Sequence, residues 1–219
     1  MGLLDRLAPR KTEPDGRPQG ASASASADDP VFSTKALRKF LASLTARESP
    51  VLLDLGPVVG SNVSFFGEQL GCKIFVEDIF ADLDRHAKAD KLDTLPTFLQ
   101  TRFPQEEGSV DGILCWDLID FMDRASSQVL AAQLTRVLRP DGALLAFFRA
   151  VAVPNEPPQY TKYVVADETN LKHRPYPAAR ARQTVLLNRD VIRLFPGLRV
   201  SDSFLLQNNL REVLFRKAV

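Results

Sequence analysis

Four short stretches of the chain are apolar at nearly every interior position, and this pattern constrains the fold more than any other feature. The stretches are Val51–Leu55, Lys73–Glu77, Val110–Trp116 and Ala143–Phe148. A strand that is apolar on both faces is typical of a parallel sheet covered by helices on both sides. The sequence therefore predicts that these four segments form a buried, parallel sheet.

Segments with helical periodicity alternate with these strands. Apolar residues between Phe32 and Leu44 recur near helical spacing and predict an amphipathic helix within residues 31–47, closed by Pro50. Further helices are expected over Val63–Leu70, near Thr97–Phe103, over Ser126–Leu138 and over Asp190–Phe195. Alternating strands and helices require right-handed crossovers, which predicts an α/β fold with a Rossmann-like, doubly wound, mostly parallel sheet.

The chain closes with a pattern that differs from this alternation. Two strand-like segments, Leu198–Leu206 and Glu212–Arg216, are separated by a short turn, which predicts an antiparallel pair. Before them, residues 151–187 form a long polar stretch with prolines, in which only Tyr160–Ala166 looks extended. We therefore expect the sheet to end in an antiparallel strand.

The first 29 residues have a different composition from the rest. Residues 8–29 are rich in Pro, Gly, Ser, Ala and charge, and they include the low-complexity run Ala21–Ala27. Such a segment has too little apolar surface to offset the entropy lost on ordering. We predict a disordered arm over residues 1–29 and one domain over residues 30–219.

Composition narrows the functional classes. Lys and Arg number 28 against 27 Asp and Glu, so no charge excess indicates nucleic acid or an anionic membrane.

Cys72 and Cys115 lie among apolar residues and are expected to be small buried side chains. His86 and His173 lack cysteines at ligand spacing, so no metal site is expected. No apolar run is long enough for a membrane helix, and a cytoplasmic protein is expected.

Three segments carry a family resemblance. They are Val51–Gly60, Gly108–Asp117 and Leu134–Phe147. In this order and spacing, the chain resembles the class I S-adenosylmethionine-dependent methyltransferases over about residues 50–217. The first segment is similar to the family's strand-one motif, in which hydrophobic residues precede Asp/Glu-x-Gly-x-Gly-x-Gly. The resemblance implies S-adenosyl-L-methionine as the cofactor.

The resemblance also assigns roles in the turn after the first strand. Asp54 would order the turn or contact the amino-acid end of the cofactor, while Gly56, Pro57 and Gly60 would line it. A Gly-rich turn before a helix lets a ligand approach the backbone and offers free N–H groups to an anion. Asp54 and the glycines could also serve only the turn itself.

Four further residues receive roles from the same resemblance. Glu77 or Asp78 would accept hydrogen bonds from the ribose hydroxyls, and the spacing favours neither. Trp116 and Asp117 would face the methionine end or the substrate. The alternatives are a strand end or helix cap for the two acids at 77 and 78, a core position for Trp116, and a cap of the next helix for Asp117 and Asp120.

The sequence departs from the family pattern in two places. Val58 stands where the family has its middle glycine, and a β-branched residue does not comfortably adopt a positive φ. Either the turn takes another conformation that admits the cofactor, or the pocket is partly closed. Residues 79–109 are also short for a helix, a third strand and the acid that usually contacts adenine, for which Asp93 is a stand-in.

Two functional hypotheses follow. The first is a methyltransferase that acts on an unidentified acceptor, either a small molecule or a protein, in a pocket built from residues 31–47, the segment after Trp116 and residues 150–187. The alternative is a non-catalytic methyltransferase-like module that binds a partner or regulates it. A nicotinamide-dependent oxidoreductase is disfavoured because Gly-x-Gly-x-x-Gly is absent after the first strand. Five basic residues could contact an anionic substrate or form a solvated surface: Lys172, His173, Arg174, Arg180 and Arg182.

Overall fold

The structure, a computed structural model, describes residues 29–183 and 185–218. Its strands are β1 Val31–Ser33, β2 Val51–Asp54, β3 Lys73–Val76, β4 Val110–Trp116, β5 Leu138–Arg149, β6 Gln159–Asp167, β7 Asn170–Pro177, β8 Leu198–Leu205 and β9 Leu210–Lys217. Its α-helices are α1 Leu37–Thr45, α2 Gly60–Ser64, α3 Ile79–Lys88, α4 Leu95–Thr101, α5 Arg124–Val137 and α6 Asn188–Leu194. A π-helical turn at Phe65–Gln69 continues α2, and 3₁₀ turns lie at Leu92–Thr94 and Leu118–Phe121. Except for Asp29, the predicted arm lies outside the described residues.

The main sheet has the strand order β3-β2-β4-β5-β9-β8. The first four strands pair in parallel, and β9 pairs antiparallel with both β5 and β8. The predicted doubly wound, mostly parallel sheet with an antiparallel end is therefore confirmed. β3 is an edge strand, because the residues that follow it form α3, a 3₁₀ turn and α4 before β4 begins.

Both faces of this sheet are buried, as the continuous apolar strands predict. In β2, Leu53 belongs to an apolar cluster with residues of α3, α4 and α5, while its neighbour Leu52 belongs to a cluster with residues of α1. Adjacent strand residues point to opposite faces, so β2 contributes to both clusters. Cys72 and Cys115 are buried free cysteines, as expected.

The first predicted helix begins later than expected. Residues 31–33 form strand β1 rather than a first helical turn, and α1 starts at Leu37. Glu212 of β9 explains this start, because its Oε2 accepts the backbone N–H groups of Lys35 and Ala36, each at 2.8 Å. A helix N-terminus leaves such N–H groups without intrahelical partners.

The long connection at 151–187 is more ordered than the sequence indicates. It contains the hairpin β6–β7, which joins β1 in a three-stranded antiparallel sheet of order β1-β7-β6. The predicted extended piece at Tyr160–Ala166 is part of β6, and its partner β7 was not expected. In the described residues, no helix is long and apolar enough to cross a membrane.

Candidate functional site

Asp54 ends strand β2 and orders the turn that follows it. Its side chain is buried, and Oδ1 accepts hydrogen bonds from the Gly56 N–H at 2.9 Å and from the Trp116 Nε1–H at 2.7 Å. Burial raises the pKa of Asp54 to about 6, against the lowering effect of these two hydrogen bonds. The carboxylate thus links the carboxyl ends of the neighbouring strands β2 and β4.

The space beside Gly56 is filled by the Trp116 indole. A Cβ added to Gly56 would lie 2.9 Å from Cδ1 and from Nε1 of the indole, so the glycine permits this close approach. Gly60, the first residue of α2, has no heavy atom within 4 Å of an added Cβ. Val58 is 66% exposed, so its methyl groups do not fill a buried space beside the turn. The turn is closed by Trp116 and not, as the glycine motif suggests, by Val58.

Trp116 is held at the end of β4 by an aromatic cluster. Its ring stacks on Tyr163 of β6, with centroids 5.0 Å apart and an interplanar angle of 9°, and meets Phe147 edge-on at 5.6 Å. Its backbone has a φ of 50°, an unusual conformation for a bulky residue. Strained backbone persists only where the surroundings fix it. The stacking partner comes from the 151–187 connection.

Asn62 of α2 fixes β6 over this cluster. Its Nδ2 donates to the Tyr163 carbonyl and its Oδ1 accepts from the Val165 N–H, both at 2.8 Å. The side chain is 3% exposed, so these two bonds are made away from water. Asn62 therefore locks the strand that carries Tyr163 onto the helix that follows the Gly56 turn.

Glu77 and Asp78 follow β3, and both have partners within the protein. The Glu77 carboxylate accepts hydrogen bonds from Arg102 Nη1 and, at 3.1 Å, from Gln105 Nε2. Asp78 caps α3 by accepting the Ala81 N–H at 3.0 Å, as the alternative interpretation expects. Asp93, the suggested stand-in for an adenine contact, lies exposed in the 3₁₀ turn before α4.

Asp117 and Asp120 do not cap the next helix. That role belongs to Asp123, whose side chain accepts the Ser126 N–H at 2.8 Å. Arg182 instead bridges the two acids, with Nη2 donating to Asp117 Oδ2 and Nη1 to Asp120 Oδ2. Asp117 is completely buried and Asp120 is 3% exposed.

Three of the five basic residues of the connection do not form the solvated surface that the sequence offers as one alternative. Arg182 is mostly buried in the bridge just described, and Arg174 pairs with Asp29. His173 packs between Phe32 and Tyr163, at centroid distances of 4.4 and 4.9 Å. Burial lowers the pKa of His173 to about 4, so the ring is neutral at pH 7.

Comparison with known proteins shows what part of this chain is similar to. A family model described as a methyltransferase domain matches residues 53–146. The matched segment runs from β2 into β5 and includes the Gly56 turn and Trp116. No curated protein matches the sequence.

Solved structures similar to this chain come from several organisms. A 1,6-didemethyltoxoflavin-N1-methyltransferase from Burkholderia thailandensis, with bound 1,6-didemethyltoxoflavin and S-adenosylhomocysteine, is 16% identical over 84% of this chain and 79% of that one, with a TM-score of 0.49. The CcbJ methyltransferase from Streptomyces caelestis is 13% identical over 84% and 95%, with a TM-score of 0.48. The PH0226 protein from Pyrococcus horikoshii OT3 is 15% identical over 84% and 92%, also with a TM-score of 0.48. Because these scores are below 0.5, the fold assignment rests on the strand order of this chain itself.

The residues assigned to S-adenosylmethionine have suitable chemistry to hold it, and in this structure groups of the protein occupy part of the space beside them. Asp54 and Glu77 are acceptors at the carboxyl ends of neighbouring parallel strands. The indole fills the space beside Gly56, and both carboxylates already bind groups of the protein. In this structure the part of the edge beside Gly56 is therefore closed by Trp116.

A cavity lies beside the closed part of this edge. It has a volume of about 250 Å³, and charged residues from four segments line it: Asp120, Arg149, Glu156 and Arg182. Arg149 ends β5, and Glu156 belongs to the connection. From the sequence, Asp120 is expected only as a helix cap. The one feature that could have pointed to a role in a site is its position as an acid within the otherwise apolar run Leu118–Met122.

Proposed function

We propose that this protein is an S-adenosylmethionine-dependent methyltransferase that acts on an unidentified acceptor, either a small molecule or a protein. The observation that carries this proposal is the methyltransferase-domain match, which spans the turn at Asp54 and Gly56 and the end of β4 at Trp116. In open α/β sheets, ligands bind outside the carboxyl ends of the strands. Asp54, Glu77 and Asp117 follow three neighbouring parallel strands and therefore share that edge.

We also propose the domain division that the sequence predicts, with an arm over residues 1–29 and the catalytic domain over residues 30–219. Asp29 pairs with Arg174 of β7, and Val31 pairs with Lys172 of the same strand. These contacts support a domain that includes the residues from about 30 onwards.

Cofactor binding requires that Trp116 leave the space beside Gly56. Exposing a buried aromatic side chain costs about 1.5–3 kcal/mol, and breaking its hydrogen bond to the Asp54 carboxylate costs a further ~1.5–3 kcal/mol. When a site is open in only a small fraction of the molecules, the apparent affinity for its ligand is reduced in proportion to that fraction. An opening cost of about 3–6 kcal/mol weakens the apparent affinity at least ~100-fold.

A second candidate function is favoured by the internal pairing of this site. Asp54, Glu77 and Asp78 each accept hydrogen bonds from groups of the protein itself, so no ligand is needed to satisfy them. A methyltransferase-like binding or regulatory module without a cofactor is compatible with this pairing.

Calorimetry with S-adenosylmethionine and S-adenosylhomocysteine separates the two candidates. The test compares the wild-type protein with Tyr163→Ala, which removes the ring stacked on Trp116. The matched control is Tyr176→Ala in the same three-stranded sheet, whose ring packs on Tyr160 instead. If the protein is an enzyme, we expect the ligands to bind weakly to the wild type and to Tyr176→Ala. We expect them to bind at least ~10-fold more tightly to Tyr163→Ala. No heat from either ligand at millimolar concentration, with any variant, overturns the enzyme proposal and leaves the binding module.

A further inference from the structure

The cavity beside the closed edge is formed where four segments meet. Asp120 comes from the 3₁₀ turn after β4 and Arg149 from the end of β5. Glu156 and Arg182 come from the segments before and after the β6–β7 hairpin. The cavity thus lies at the carboxyl ends of two parallel strands of the main sheet, where ligands of α/β proteins bind.

Charged side chains around the cavity are arranged in a network. Asp120 Oδ2 accepts the Arg149 backbone N–H at 2.7 Å and Arg182 Nη1 at 3.0 Å. Arg149 Nη2 donates to Glu156 at 2.6 Å, and Arg182 also bridges to Asp117. These contacts hold the two guanidinium groups and the Asp120 carboxyl group in fixed positions around one space.

The network leaves polar atoms on both sides unsatisfied. Within the described residues, Asp120 Oδ1 has no hydrogen-bond donor, and Nε of Arg149 and Nε of Arg182 have no acceptor within hydrogen-bond distance. The nearest carboxylate oxygen to Arg182 Nε is Glu156 Oε2, at 3.8 Å. An unsatisfied buried polar atom costs about 1–3 kcal/mol, so three of them around one cavity indicate that something else completes the network.

The chemistry of these atoms defines the missing group. A free carboxyl oxygen calls for an N–H or O–H donor, whereas two guanidinium nitrogens call for an acceptor such as a carboxylate. The volume of about 250 Å³ suits a molecule of amino-acid size. We infer that this cavity binds a small molecule that presents an amine or hydroxyl group to Asp120 and a carboxylate to Arg149 and Arg182.

Titration of Asp120 is consistent with such a ligand. Burial raises the pKa of Asp120 to about 7, and the charge of Arg182 opposes this rise. At neutral pH, the carboxyl group therefore exchanges between an ionised and a protonated form. A ligand amine that binds beside it favours the ionised form. The role of this group in the reaction rests on the proposed function. In a methyltransferase, the ligand's amine or hydroxyl group beside Asp120 is the methyl acceptor.

Binding can be measured with simple probes and without any cofactor, so failure here is distinct from failure of the proposed function. The probes are glycine and glycolate, which carry both groups, and ethylamine and acetate, which carry one each. Binding is followed in the full chain by ¹³C NMR of the aspartate carboxyl groups. We expect glycine or glycolate to shift the Asp120 resonance at millimolar concentration, at least ~10-fold below the concentration that either single-group probe requires.

Two variants test the assignment. Asp120→Asn keeps the shape of the side chain and removes its charge, and we expect it to weaken binding of the two-group probe at least ~10-fold. Arg149→Lys keeps the charge and removes the Nε donor, and gives a second measurement if Asp120→Asn does not fold. Asp141→Asn, at an exposed position away from the cavity, is the matched control and leaves binding unchanged. Equal binding by all variants, or no shift with any probe, overturns the inference and leaves water as the occupant.

Discussion

The edge of the main sheet at which the parallel strands end has two parts, one filled by protein side chains and one that contains a cavity. Around Asp54, the polar atoms of the turn have partners within the protein, and the Trp116 indole occupies the space beside Gly56. Around Asp120, a cavity remains, and buried polar atoms on its walls lack partners. A ligand must displace protein at the first part, whereas at the second it completes an existing network.

This difference arises from one hairpin. The β6–β7 hairpin places Tyr163 on Trp116 and Tyr160 on Phe80 and Phe121, so it covers the part of the edge that the family resemblance assigns to the cofactor. The chain segments on either side of the hairpin line the open cavity instead. The same connection therefore closes one part of the edge and lines the other.

The largest expected effect comes from Trp116→Ala, which removes the side chain that closes the first part. We expect a loss of about 3–5 kcal/mol in the free energy of unfolding, because a large buried ring is deleted from a packed cluster. Chemical denaturation measures this loss. Val58→Ala, at an exposed position of the same turn, is the control and stays within about 0.5 kcal/mol of the wild type. A similar small change for Trp116→Ala contradicts the closed arrangement.

Asn62→Ala is expected to have the next largest effect. The substitution leaves the Tyr163 carbonyl and the Val165 N–H without their partner, in a buried setting. We expect a loss of about 2–4 kcal/mol in the free energy of unfolding. Amide hydrogen exchange at Val165 should rise in parallel. Unchanged exchange shows that β6 is held by its sheet pairing alone.

The pH dependence of stability tests the raised pKa of Asp120. Its pKa in the folded protein, about 7, lies above the value of about 4 that an unfolded chain gives, so the folded state binds more protons between these pH values. Stability contributed by this group is present below pH 4 and is lost as the pH rises to about 7, by at most about 1.4 kcal/mol per pH unit. Relative to Asp120→Asn, the wild type should become less stable over this window in urea titrations. Parallel curves for the two proteins refute the raised pKa.

The smallest expected effect compares the two glycines of the turn. Gly60→Ala places a methyl group in open space at the start of α2 and should stabilise the protein by up to about 0.5–1 kcal/mol. Gly56→Ala pushes a methyl group against the indole and should destabilise it by about 1–3 kcal/mol. Thermal unfolding of the two variants checks both signs. Equal effects at both positions contradict the placement of the indole over Gly56.

Much of the fold was predictable because it follows from local patterns. The continuous apolar runs identify β2, β3, β4 and β5, and the short turn between the last two strands predicts their antiparallel pairing. The helix α3 was missed because its sequence is dominated by acidic and basic residues. Strand β7 was missed because Lys172–Pro177 is polar and contains two prolines.

The closure of the site was not predictable, because it depends on residues far apart in the chain. Asp54 meets Trp116 and Asn62 meets Tyr163 only through the tertiary structure, and no spacing rule connects them. The glycine motif drew attention to Val58, which is exposed. The resemblance predicts that Trp116 faces the methionine end of the cofactor or the substrate, but nothing in the sequence shows that its indole fills the turn.

The most direct test of the closed edge uses fluorescence, because Trp116 is the chain's single tryptophan. Acrylamide quenching of the wild-type protein reports the exposure of this one side chain. The structure predicts a blue-shifted emission that acrylamide quenches poorly, and stronger quenching in Asn62→Ala. A red-shifted emission with quenching close to that of the unfolded chain, in the absence of any ligand, contradicts the account.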